Sequence, residues 1–138
     1  TQAVLPLLET DLLDILLACV DGKLDQIADQ IRWKDAASVC VVLASGGYPE
    51  SYPKGLPITG LDSLPEGVVA FHAGTKLADP LPHSPASLLT NGGRVLGLTA
   101  VAPTMSEART LAYQGIKHIH FDGMQHRTDI AYESGNGI

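Results

Sequence analysis

Thr90-Asn91-Gly92-Gly93-Arg94-Val95-Leu96-Gly97-Leu98-Thr99-Ala100 is a turn that delivers a guanidinium into an apolar strand. Asn-Gly tolerates positive φ at both central turn positions, so Leu88 to Thr90 and Arg94 to Val101 are expected to form a hairpin. Upstream, Ser38 to Ala44 is a nearly all-apolar, β-rich run that stops abruptly at Ser45-Gly46-Gly47-Tyr48-Pro49, which reads as a buried strand emptying into a backbone turn. Val68 to His72 forms the next strand and ends at Ala73-Gly74-Thr75-Lys76. Downstream, Thr104-Met105-Ser106-Glu107 has capping-box spacing, so a helix is expected to run to about Ile119. Its apolar stripe of Ala108, Leu111, Ala112, Gly115, Ile116 and Ile119 contains small residues, which suits close docking on a sheet. The order predicts an α+β fold, a mainly antiparallel sheet with a docked helix.

The flanks are more irregular. Asp11 to Val20 predicts a helix packed on most of its circumference, with Thr10 as N-cap and Asp21-Gly22 as the stop. Lys23 to Ile31 fits helical spacing but is short and uncapped. Pro49, Pro53 and Pro57 punctuate a loop that carries Tyr48, Tyr52 and Lys54. Leu77 to Ala86, with Pro80, Pro82 and Pro85, reads as an exposed connection. Phe121 to Ile130 reads as an irregular or strand-like return, and Glu133 to Ile138 as a frayed end.

At 138 residues, with 45% apolar and 17% charged residues, the chain has the composition of a globular domain with one core. Nine Lys and Arg against a net charge of −6 argue against nucleic-acid binding, which requires clustered cations. Cys19 and Cys40 sit in apolar runs and read as buried free thiols of a reducing compartment. No apolar run approaches membrane-spanning length and no cleavable leader is visible, so the expected location is cytoplasmic, with no membrane partner.

The chemistry-bearing residues cluster at turns. Gly46-Gly47-Tyr48-Pro49 presents backbone to a ligand or simply closes a tight turn, and the turn is the more economical reading. Gly74-Thr75-Lys76 places a hydroxyl and an ammonium at a sheet edge without the spacing of a Walker loop. Gly92-Gly93-Arg94 adds a guanidinium, the side chain best shaped to grip a phosphate bidentately. If both turns lie at one end of the sheet, Lys76 and Arg94 form a cationic pocket in an acidic chain. His72, His118 and His120 lack the partners of a zinc set, no nucleophile elbow is present, and Arg127 with Asp129 reads as a structural ion pair. These residues supply substrate grips and no reaction centre.

Five blocks carry a resemblance: Thr1-Gln2-Ala3-Val4-Leu5-Pro6-Leu7-Leu8, Ala44-Ser45-Gly46-Gly47-Tyr48-Pro49, Phe71-His72-Ala73-Gly74-Thr75-Lys76, Gly92 to Ala100, and Arg127-Thr128-Asp129-Ile130. In order and spacing they resemble the carboxyl-terminal part of the phosphoribosylamine-glycine ligases, also called glycinamide ribonucleotide synthetases, of the ATP-grasp superfamily. Each block is weak and the set is specific. The resemblance implies that Thr1-Gln2 ends the family's Arg-x-Gly-Asp-Pro-Glu-Thr-Gln segment, with the Glu and Asn that hold magnesium on ATP immediately upstream of it.

It implies an enzyme that makes an acyl phosphate from glycine and ATP, then joins glycine to 5-phosphoribosylamine, releasing ADP and phosphate in de novo purine synthesis. The small-molecule partners would be glycine, 5-phosphoribosylamine and ATP, shared with the rest of the enzyme. The cofactors would be ATP and magnesium or manganese, neither bound by this chain alone, which would be inactive by itself. By the same analogy Lys76 and Arg94 would hold the ribose 5-phosphate. Thr75, Gly92, Gly93 and the wall of Gly46, Gly47, Tyr48 and Pro49 would surround it. His126 stands where the family commonly has an aromatic residue. Residues 1–35 would be the helical tail end of an ATP-grasp domain and 36–138 the substrate-binding α+β domain. Two other readings are a non-catalytic binding module of the same ancestry and the carboxyl-terminal domain of another ATP-grasp ligase or carboxylase.

Overall fold

The computed structural model describes residues 1–78 and 87–132. Strand β1 (Ala37–Ala44), β2 (Val68–His72) and β5 (Arg94–Ala102) form a three-stranded sheet in the order β1-β5-β2, with both pairings antiparallel. The short strands β3 (Thr75–Leu77) and β4 (Leu88–Thr90) form a second, two-stranded antiparallel sheet. Helix α3 (Met105–Ile116) packs against β5 and β1. Upstream lie α1 (Leu12–Val20) and α2 (Leu24–Ile27).

The expected α+β class and the docked helix are observed. Alternation along β1 sends Val39, Val41 and Leu43 to one face, where they meet Ala100, Leu98 and Leu96 of β5 in register. Ala108, Ala112, Gly115 and Ile116 of α3 are buried in the same core. Close approach is the reason for the small residues: a side-chain carbon at Gly115 would lie 2.9 Å from Val68 Cγ1. Thr104 and Glu107 close the expected capping box. The helix ends at Ile116, and Ile119 joins the core from the turn beyond it.

The predicted hairpin between Leu88–Thr90 and Arg94–Val101 does not form. β4 is already paired on both sides: by β3, and by residues 56–58, with Thr90 N–H donating to Leu56 O (2.9 Å) and Ile58 N–H to Leu88 O (2.8 Å). Neither Asn91, Gly92 nor Gly93 adopts positive φ, so the backbone twist of a two-residue hairpin turn is absent. Asn91-Gly92-Gly93 instead carries the chain from one sheet to the other, pressed so closely on the Ala73-Gly74 turn that a side-chain carbon at Gly92 would lie 2.9 Å from Gly74 Cα.

Three further expectations are corrected. Helix α1 buries none of its residues, and Leu13, Leu16, Leu17 and Val20 are more than half exposed. The inner sheet face is taken by α3, so periodicity showed that α1 is apolar but not what covers it. Its N-cap is Asp11, which accepts from Leu13 N–H at 2.8 Å, while the Thr10 hydroxyl accepts from Arg32 N–H instead. Cys19, on this helix, is exposed rather than buried, and Cys40 is partly buried on the outer sheet face. Leu24–Ile27 is helical and Ala28–Gln30 continues as a 3-10 turn. Most of the Leu77–Ala86 connection and all of the Glu133–Ile138 end lie outside the described residues.

Candidate functional site

The outer face of the three-stranded sheet, opposite α3, carries the clefts. Between Leu43 and Ala44 the β1–β5 register slips: Leu43 faces Leu96, yet Ala44 faces Arg94. Val95 is the extra residue of a β-bulge, and it and Leu96 are both fully buried in the core. Two consecutive inward residues reverse the alternation, so Arg94 swings to the outer face beside Val42 and Ala44. A regular ladder would have turned Arg94 toward the core.

Arg94 and Val42 line two adjoining clefts. The first, about 420 Å³, is completed by Ala44, Tyr48, Gln125, His126 and Arg127. The second, about 320 Å³, is completed by Thr1, Gln2, Ala73, Leu96 and Gly97. Gln2 is held over the sheet by its carbonyl, which accepts from Thr99 Oγ1 at 3.1 Å.

The turn glycines singled out in the sequence, Gly46, Gly47, Gly74, Gly92 and Gly93, sit where neighbouring atoms leave no room for a side-chain carbon. Gly47 has φ +94° and a side-chain carbon there would lie 2.3 Å from Ser51 O, so the turn requires glycine at this position. Ser45 ties this turn to the next one, its N–H donating to Gly93 O (2.8 Å) and its hydroxyl to Gly92 O (2.9 Å). The ring of Tyr48 lies on Gly93, where a side-chain carbon would come within 2.1 Å of the ring. Tyr48 thereby becomes one wall of the larger cleft. Pro49 follows Tyr48 through a cis peptide bond and is exposed.

The turn carrying Thr75 and Lys76 adjoins the one carrying Arg94, because Ala73 and Gly74 N–H both donate to Val95 O at 3.1 Å. Thr75 Oγ1 is engaged with His72 Nδ1 at 3.0 Å. Lys76 is exposed on β3 and lines neither cleft, whereas Arg94 lines both and shares the first with Arg127. Among the described residues neither Lys76 nor Arg94 forms an ion pair.

Gln125, His126 and Arg127 were missed as cleft residues, although Arg127 stood in one of the quoted blocks. Their segment is an added edge of the sheet: Ala44 and Gln125 exchange backbone hydrogen bonds at 2.8 and 2.9 Å. The expected pair of Arg127 and Asp129 is present, with Nε donating to Oδ1 at 2.8 Å. That hydrogen bond holds the Asp129 carboxyl below the ordinary carboxylate value and raises Arg127. His118 and His120 are exposed, and His118 Nδ1 lies 3.3 Å from Ser63 Oγ. Among the described residues no group of three or more His, Cys, Asp or Glu side chains is placed to hold a metal ion. Among them, too, no helix is long and apolar enough to cross a membrane.

Residues 38–133 match the family model described as phosphoribosylglycinamide synthetase, C domain. The chain belongs to this family. It is 47% identical over 135 residues to the phosphoribosylamine-glycine ligase of Synechocystis, covering 97% of this chain and 30% of that protein. Against the ligase of Caldanaerobacter subterraneus the identity is 44%, covering 95% of this chain and 29% of the relative. A bifunctional purine biosynthetic protein of Pichia angusta is 47% identical, and there the match covers 97% of this chain and 16% of the relative. The crystal structure of the Thermotoga maritima phosphoribosylamine-glycine ligase superposes with a TM-score of 0.56 at 40% identity, over 69% of this chain and 22% of that one. The chain thus spans under a third of the curated ligases it matches, and its α+β architecture is that of the synthetase C domain.

Proposed function

We propose that this chain is the sugar-phosphate-gripping portion of a phosphoribosylamine-glycine ligase. The whole enzyme would use ATP to join glycine to 5-phosphoribosylamine, giving glycinamide ribonucleotide, ADP and phosphate. The observation that carries the reading is the position of Arg94. A bulge turns this cation out of the sheet into a cleft that Thr1 and Gln2 also line, the end of the motif that in the resembled family follows the metal ligands. Phosphoryl transfer depends on positioning and charge more than on protein nucleophiles, so grips without a nucleophile suit such a domain.

Residues 1–35 belong, in this reading, with the nucleotide-binding part of the enzyme, and 36–138 form the substrate domain. ATP with magnesium or manganese would be held by the rest of the enzyme. This chain on its own would then have no turnover. The location is cytoplasmic, where purine precursors are made, with small molecules as partners and neither nucleic acid nor membrane. Lys76 would act at the rim, as a long-range charge rather than a direct contact.

Assay of the intact protein with glycine, 5-phosphoribosylamine and ATP tests the reading. Arg94→Ala is expected to raise KM for phosphoribosylamine about tenfold or more, the loss of one charge-assisted hydrogen-bonding group, with KM for ATP little changed. An unchanged KM for phosphoribosylamine removes Arg94 from the site.

A further inference from the structure

We propose that Arg127 is a second phosphate grip, closing on the sugar phosphate from the side of the larger cleft opposite Arg94. This inference rests on the ligase reading and names a residue which that reading does not use. Both guanidinium residues line one cleft, together with Tyr48, His126 and Gln125. They come from different parts of the chain, Arg94 from the bulged start of β5 and Arg127 from the return segment paired to Ala44.

The return segment is built to hold its position. Tyr113 Oη donates to Arg127 O at 2.8 Å and accepts from Ile130 N–H at 3.1 Å. Arg109 donates to Ile130 O at 3.1 Å and to Thr128 O at 3.0 Å, with its guanidinium 4.9 Å from the centroid of the Tyr113 ring. The backbone from Arg127 to Ile130 is therefore pinned to α3, and Gln125 on the other side is pinned to Ala44 of β1. The Arg127 side chain is in turn clamped by Asp129 through Nε and Nη2. Both groups are more than half exposed, and an exposed ion pair contributes little to stability. What the clamp supplies is direction. A guanidinium has five N–H donors, so pairing one edge leaves the Nη1 side available to an anion.

Charge favours two cations. A phosphate monoester carries about −1.5 to −2 at neutral pH, and in a chain of net charge −6 a single guanidinium leaves much of that uncompensated. Lys76 lines neither cleft, while Arg127 shares one with Arg94.

The test is calorimetric titration of the intact protein with ribose 5-phosphate, with ribose and inorganic phosphate as comparison probes and no ATP present. The wild type is expected to bind ribose 5-phosphate and not ribose. Arg127→Ala is expected to weaken that binding about tenfold or more, and Arg127→Lys, which keeps the charge and loses the fork, to weaken it by less. The side chain is exposed, so an unchanged melting temperature separates lost binding from lost folding. If Arg127→Ala binds as tightly as wild type while Arg94→Ala does not, the second grip is refuted and the ligase reading stands. If Arg94→Ala also binds as wild type, both arginine grips are refuted.

Discussion

At Gly93 the space of a side chain is filled by a neighbour, the Tyr48 ring. Gly93→Ala is therefore expected to push Tyr48 off its seat, costing about 1–3 kcal/mol by the usual penalty for overpacking and deforming the wall of the larger cleft; urea unfolding measures the first effect and Tyr48 ring shifts in NMR the second. Asp129 gives a residue-scale pH dependence. Its carboxyl is held low by the hydrogen bond from Arg127, so whatever the pair adds to stability is fully present above the ordinary carboxylate pKa and is lost as pH falls through the lowered value. A carbon-detected titration is expected to place the Asp129 midpoint below that of an unpaired Asp, and Arg127→Ala to return it to the ordinary range. The arginine types could be read from the sequence, but the cleft shared by Arg94 and Arg127 could not, because it joins segments more than thirty residues apart.

Among the elements, α3 was the most legible, because its signals are all local. A capping residue, its reciprocal carboxylate and a stripe of small apolar residues lie within one run and mean the same thing in most contexts. Thr104→Ala is expected to cost about 1 kcal/mol in thermal or urea unfolding, the typical value of a lost N-cap, since its hydroxyl meets the Glu107 amide at 3.2 Å. β5 was legible as a strand but not in its pairing. Asn91-Gly92 carries a strong hairpin signal, yet β4 had partners on both edges, and the ladder satisfied there outweighed a turn preference. The bulge at Val95 left no sequence mark at all, because Val95 and Leu96 are both ordinary strand residues.

Over the whole molecule, burial differs sharply between the sheet with α3 and the exposed helix α1. Leu98 is fully buried between α3 and the sheet, so Leu98→Ala is expected to cost about 2–5 kcal/mol. Leu13 on α1 is 61% exposed, and Leu13→Ser is expected to stay within about 0.5 kcal/mol in the same urea measurement on the 138-residue chain. A Leu13→Ser cost near that of Leu98→Ala would mean that α1 is buried in solution. Composition, periodicity and caps were enough for the α+β class, the strands β1, β2 and β5 and the helix on the sheet, because each depends on residues a few positions apart. The order of strands, the exposure of α1 and the outward turn of Arg94 depend on which surfaces meet across long stretches of chain. Those outcomes follow from competition among distant partners for the same backbone edges and the same apolar face, and no local run of residues encodes who wins.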